Sequence, residues 1–218
     1  MTDLKKLIIT LVLCLSFNSS VINAEQKKAA IATAHPLATY AGFEVLEQGG
    51  NAFDAAVAVS AALAVVEPAG SGLGGGGFWL IHRASDGFET MLDGREKAPI
   101  AADKDMFLDE QGMVIKGLSR DSVLSAGIPG LPAAIVHLSK KYGRLPLEQV
   151  LQPAIRYAQQ GFSIGERHRK LLKFRLAVLQ KNKQAAEIFL DDKKIPNEKA
   201  ILKQTDLANT LTQIAKLG

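Results

Sequence analysis

The sequence predicts an α+β fold, and three observations carry that expectation. Residues 52–66 are nearly all alanine and valine, set between Asn51 and Glu67-Pro68. Two short apolar runs, 78–82 and 88–92, flank the turn signal Asp86-Gly87. Helical patterns then recur from residue 132 to residue 217. With 218 residues, 47% of them apolar and 22% charged, the chain can bury a real core, which excludes a disordered segment or a charged tail.

Residues 1–24 have the form of an export signal. Lys5 and Lys6 give a positive start, residues 7–17 are mostly apolar, and the polar Asn18-Ser19-Ser20 follows. The apolar run is short for a bilayer span, and Ala24 offers a small residue for cleavage ahead of Glu25-Gln26-Lys27-Lys28. A periplasmic or secreted location is therefore expected. The lone cysteine, Cys14, lies inside this segment, so residues 25–218 have no thiol for nucleophilic or disulfide chemistry.

Each later element has a local reason. Residues 29–33 have the apolar character of a short strand. His35-Pro36 opens a helix, proline being suited to a first turn, that runs to about Gln48 and stops at Gly49-Gly50. Asn51 can cap the helix 52–66, and Asp54 favours the positive end of its dipole. A helix apolar on every side has no face to give to water and belongs in the core. The runs 78–82 and 88–92 make a β-hairpin. Gly127-Ile128-Pro129-Gly130 is a turn before a helix from about Pro132 to Tyr142, with Gly143 as its stop. A helical stretch over 147–160 is broken or restarted at Pro153 and ended by Gly161. Ser163 and Glu166 have capping-box spacing and start another helix, and Thr205 can cap the last, 206–217.

Charge is unevenly spread. Residues 25–162 carry 12 basic and 15 acidic side chains, whereas residues 163–218 carry 12 and 6. The cluster Arg167, Arg169, Lys170, Lys173, Arg175, Lys181 and Lys183 contains a single aromatic, Phe174, a poor match to a nucleic-acid surface. A solvated helix face, or a seam against another chain segment, is the expectation, with no nucleic acid as partner.

The glycine run Gly70-Ser71-Gly72-Leu73-Gly74-Gly75-Gly76-Gly77 formally contains a dinucleotide-binding spacing. That motif needs a strand leading in and a helix leading out, and here the order is reversed, with no lysine following for a phosphate loop. The glycines supply backbone that can approach another chain segment or a ligand closely, and both readings stay open. His35, His82, His137 and His168 are scattered, show no paired metal-ligand spacing, and leave the metal expectation at none. In Asp93-Gly94-Arg95-Glu96, Arg95 follows a strand end and is placed to hold a substrate carboxylate through two parallel hydrogen bonds. The residues alone favour instead an ion pair of Arg95 with Asp93 or Glu96 that merely closes the hairpin.

Taken in order, the motifs resemble those of the gamma-glutamyltransferases. They are His35-Pro36-Leu37-Ala38, Gly49-Gly50-Asn51-Ala52-Phe53-Asp54-Ala55-Ala56, Val66-Glu67-Pro68, Gly72-Leu73-Gly74-Gly75-Gly76-Gly77-Phe78, Asp93-Gly94-Arg95-Glu96 and Gly127-Ile128-Pro129-Gly130. Tyr142-Gly143, the Leu151 to Ile155 stretch and Gly161-Phe162 continue the likeness through residues 29–218. The resemblance implies an N-terminal-nucleophile hydrolase, an αββα four-layer sandwich that is incomplete in this chain, with residues 25–218 as the N-terminal portion of the large subunit. It implies that a precursor cleaves itself, and that the new N-terminal threonine of a small subunit attacks a γ-glutamyl amide such as glutathione. The γ-glutamyl group then passes to water or to an amino-acid or peptide acceptor, without a cofactor.

By the same resemblance, Arg95 binds the α-carboxylate of the glutamyl group and Glu96 supports the arginine. The threonine-bearing processing motif is not among these residues, so no catalytic nucleophile is assigned and the chain by itself is expected to be inactive. Two alternatives stand beside this reading. One is an acylase of the same superfamily acting on a glutaryl or β-lactam side chain; the other is a non-catalytic exported fragment that needs a partner chain.

Overall fold

A computed structural model describes residues 29–218, and the export-signal reading of residues 1–24 lies outside the described residues. The chain divides into two units, Met1–Ile31 and Ala32–Gly218. In the first, only residues 29–31 are described, and they have no regular secondary structure. The strand expected over 29–33 does not form. Residues 29–33 join no β-ladder among the described residues, and Thr33 turns to the helix that follows, its Oγ1 donating to the His35 carbonyl and lying 2.8 Å from Thr39 Oγ1.

The second unit is built around one buried helix. Helix α1, Pro36–Glu47, starts at His35, whose Nδ1 accepts the Leu37 N–H, and buries Ala38, Ala41 and Val45. Helix α2, Ala52–Val66, carries the expected capping box: Asn51 Oδ1 accepts the N–H groups of Phe53 and Asp54, and Asp54 Oδ2 accepts the Asn51 N–H. Its alanines and valines are enclosed by α1, by α4 (Leu131–Tyr142) and by α5 (Leu147–Gln160), so small side chains here allow three helices to close on a fourth. A two-point contact of Arg156 with Glu44, at 2.6 and 3.1 Å, joins α5 to α1.

The hairpin forms as expected, with β1 (Phe78–Arg83) and β2 (Phe88–Asp93) antiparallel and in register from Phe78↔Asp93 to Arg83↔Phe88. Alternation gives it two faces. Trp79 and Ile81 pack on the core, while Leu80 and Met91 stay exposed. Residues 94–130 are largely irregular, apart from the short helix α3 (Leu118–Asp121) and a 3-10 turn (Val123–Ser125).

Three sequence expectations need correction in the second half. Helix α5 runs unbroken through Pro153, whose ring is fully buried; the hydrophobic face on either side holds the helix despite the missing N–H. Ser163 caps nothing, because Phe162–Ser163 forms strand β3 against Ile201–Leu202 (β4), and α6 (Glu166–Leu179) begins after Gly165. Thr205 is the first residue of α8 (Thr205–Leu217) and not its cap; Gln204 precedes it, its side chain donating instead to the Val65 carbonyl at 2.8 Å.

One further helix, α7 (Lys183–Phe189), follows α6. Helix α6 buries only Leu172, so the basic segment is a solvated helix face, as expected, partly neutralised by Arg175–Asp121 and Lys170–Glu166. Helix α8 closes the core over α5. Among the described residues, no helix is long and apolar enough to cross a membrane.

Candidate functional site

The segment that carries Arg95 is threaded between two other stretches of backbone. The hairpin ladder continues one pair beyond the strands, with Gly94 donating to the Gly77 carbonyl at 2.9 Å and Gly77 to the Gly94 carbonyl at 3.2 Å. On the other side, Lys97 and Ile128 exchange both backbone hydrogen bonds, at 3.0 and 2.8 Å. The Gly75 carbonyl accepts the N–H groups of Gly130 and Leu131, which ties the glycine run to the first turn of α4. Close packing thus holds at Gly75 and Gly76, whereas a Cβ on Gly70 or Gly74 would meet nothing within 4 Å.

Two positions show why no side chain fits. A Cβ on Gly94 would lie 2.6 Å from Ala134 Cβ and 2.7 Å from the Trp79 ring. One on Gly130 would collide with the carbonyl oxygens of Gly94 and Arg95. Both clashes involve groups that cannot swing away, so these glycines fix the path of the backbone into and out of Arg95. The Gly127–Gly130 turn thus belongs to the site, although as a motif it reads only as a helix start. Nothing local in the sequence signals that it lies against Arg95.

The Arg95 side chain has few partners. Asp93 Oδ1 accepts the Arg95 backbone N–H at 2.9 Å, so this carboxylate fixes the turn and not the guanidinium. Glu96 Oε2 lies 3.6 Å from Arg95 Nε, and among the described residues it is the one carboxylate within ion-pair reach. The contact given is to Nε, and neither Nη makes a hydrogen bond among the described residues. With the Arg95 side chain 65% exposed, the pair with Glu96 is weak in water and does not consume the arginine. Beneath it, the Phe78 ring centre lies 6.0 Å from Cζ.

A second cluster joins residues whose sequence spacing carries no signal. The rings of His35 and His168 each meet Phe162 edge-on, at 6.0 and 6.2 Å, and both histidines feel the nearly buried Glu67 carboxylate. Burial pushes both imidazoles below their ordinary value, outweighing the opposite pull of Glu67. His168 Nε2 is buried with no hydrogen-bond partner among the described residues. Glu67 also starts the glycine run: its carbonyl accepts the N–H groups of Gly70 and Ser71, and its carboxylate lies 3.6 Å from Arg167 Nε. His82, by contrast, sits on the exposed hairpin face beside Glu89, which fits a surface histidine.

Residues 38–218 match the family model described as gamma-glutamyltranspeptidase. A glutathione hydrolase proenzyme from Pseudomonas sp. (strain A14) is 40% identical over 98% of this chain, and the chain spans 38% of that relative's length. Among solved structures, the Helicobacter pylori gamma-glutamyltranspeptidase superposes with a TM-score of 0.84 at 45% identity, over 87% of this chain and 54% of that one. The Bacillus halodurans cephalosporin acylase superposes with a TM-score of 0.70 at 31% identity, over 84% of this chain and 34% of that one. The α+β arrangement of helices and hairpin is thus part of the N-terminal-nucleophile hydrolase fold. A family model that matches residues 38–218, together with a relative 40% identical over 98% of the chain, establishes that this chain belongs to the gamma-glutamyltranspeptidase family.

Proposed function

We propose that this chain is the N-terminal part of an exported gamma-glutamyltransferase, or glutathione hydrolase, and that Arg95 anchors the α-carboxylate of its γ-glutamyl donor. The observation that carries the reading is the Arg95 guanidinium: Glu96 approaches its Nε, its Nη groups make no hydrogen bond among the described residues, and a side chain at the neighbouring Gly94 or at Gly130 would clash with the packed backbone around it. A carboxylate accepting from both Nη groups would form the two parallel charge-assisted bonds for which a guanidinium is suited. Anchoring the α end fixes where the γ-amide lies, one donor length away, ready for attack.

The attacking group is a threonine supplied by a small subunit that associates with these residues. Its hydroxyl adds to the γ-carbonyl carbon while its own α-amine takes the proton and passes it to the leaving amine. The resulting γ-glutamyl ester is opened by water, which gives hydrolysis, or by an amino-acid or peptide amine, which gives transfer. Processing of a common precursor releases the threonine amine. Residues 1–24 direct export to the periplasm or beyond, in accord with their apolar and basic pattern.

A second reading has support from the superposition on a cephalosporin acylase. There Arg95 would hold the carboxylate of a glutaryl or β-lactam side chain. The test expresses the full-length precursor that contains these residues and compares turnover of a γ-glutamyl anilide with that of a glutaryl amide. Preferred cleavage of the γ-glutamyl compound is expected, with none from the 218-residue chain alone; preference for the glutaryl amide overturns the first reading.

A further inference from the structure

Arg95 has a neighbour that no ion pair or core packing accounts for. Phe78 stands opposite Asp93 in the hairpin register, and Arg95 is two residues beyond Asp93, so alternation places Phe78 and Arg95 on the same face of the ribbon. The guanidinium carbon is 6.0 Å from the centre of the Phe78 ring. Phe78 is 53% exposed, which is unusual for so large an apolar side chain and shows that the core does not claim it. Its backbone is held by what precedes it: Gly77 exchanges hydrogen bonds with Gly94, next to Arg95 itself.

We infer that Phe78 is a positioning residue for Arg95. Its ring centre lies 6.0 Å from the guanidinium carbon and the Glu96 carboxylate 3.6 Å from Nε, while neither Nη makes a hydrogen bond among the described residues, so both Nη groups are left for a substrate carboxylate. The negative face of an aromatic ring attracts a cation, and the attraction strengthens when water is displaced. A bound donor excludes water from the Nη groups, so the ring contributes more in the complex than in the free enzyme. An aliphatic side chain of similar volume fills the space without the quadrupole. The inference rests on the reading of Arg95 as donor anchor and names what selects the arginine's rotamer.

The test uses the complete enzyme, the full-length processed protein of which these residues are the N-terminal part, and steady-state kinetics with a γ-glutamyl donor. Phe78→Leu is expected to raise KM about two- to fivefold with kcat nearly unchanged. Phe78→Tyr, which keeps the ring face, is expected to restore the original KM. Phe78→Met is a second aliphatic variant, and whichever of the two folds carries the test. On an Arg95→Ala background, Phe78→Leu is expected to add nothing. An unchanged KM in the aliphatic variants overturns the inference, as does an equal rise on the Arg95→Ala background. If Arg95→Ala itself leaves KM unchanged, the anchor reading fails first, which separates the two failures.

Discussion

The buried carboxylate of Asp54 accepts the backbone N–H of Arg144 at 3.0 Å, joining the start of α2 to the end of α4. The same carboxylate accepts the Asn51 N–H, and Asn51 in turn donates to the Tyr142 carbonyl at 2.7 Å. Two helix ends are thereby closed by one pair of side chains, and α4 carries at its other end the Gly130 turn against Arg95.

Asp54→Ala is expected to destabilise the protein by about 2–4 kcal/mol, because it leaves buried donors unpaired as well as removing a cap. Asp54→Asn, which keeps one acceptor oxygen, is expected to cost less. Urea unfolding measures both; equal midpoints for Asp54→Ala and the parent protein would show that these bonds carry no weight.

Glycine substitutions separate backbone packing from mere flexibility. Gly130→Ala places a methyl group against the Gly94 and Arg95 carbonyls and is expected to cost about 1–3 kcal/mol and to displace Arg95. Gly74→Ala, where a Cβ meets no atom within 4 Å, is expected to leave stability almost unchanged. Thermal unfolding of the two variants checks the contrast, and the reverse order would refute the packing argument.

The His35–Phe162–His168 cluster makes stability depend on pH. Burial holds both imidazoles below the unfolded value of about 6.5, so the unfolded chain binds protons first as pH falls. Their contribution is therefore fully present above pH 6.5, declines as pH falls below it, and levels off once the folded-state values are passed. His168→Gln is expected to flatten this slope. Urea midpoints at several values between pH 7.5 and 5 provide the measurement, and a slope unaltered by the substitution counts against the cluster.

Much of the fold was legible where local chemistry decides. The Asn51 and Asp54 caps, the alanine–valine helix and the hairpin around Asp86-Gly87 all formed as the residues imply. Expectations failed where a distant partner took over. Ser163 has capping-box spacing from Glu166, but its backbone pairs with Ile201 in β3–β4. Gln204 precedes α8 with its side chain committed to Val65 on the core helix. Residues 29–33 read as a strand by apolar character alone, which says nothing of a neighbour to pair with. For the candidate site, the family resemblance singled out Arg95 and Glu96, but nothing in the sequence showed that Phe78 and the 127–130 turn lie against the same segment.

Glu96 is expected to matter less than Arg95. Its contact is 3.6 Å long and partly exposed, so Glu96→Gln is expected to raise the donor KM only about two- to threefold, with kcat held. A collapse of kcat in Glu96→Gln would instead place this carboxylate among the reacting groups.

The most direct measurement compares the complete enzyme with its Arg95→Ala variant on a γ-glutamyl anilide and on an analogue lacking the α-carboxylate. Removing one partner of a desolvated, hydrogen-bonded charge pair costs about 2–5 kcal/mol, so the γ-glutamyl donor is expected to lose at least about thirtyfold in kcat/KM, chiefly through KM. The analogue, already without its anchor, is expected to react equally with both enzymes. An unchanged KM for the γ-glutamyl donor, or an equal loss on both substrates, would contradict the assignment of Arg95 as the carboxylate anchor.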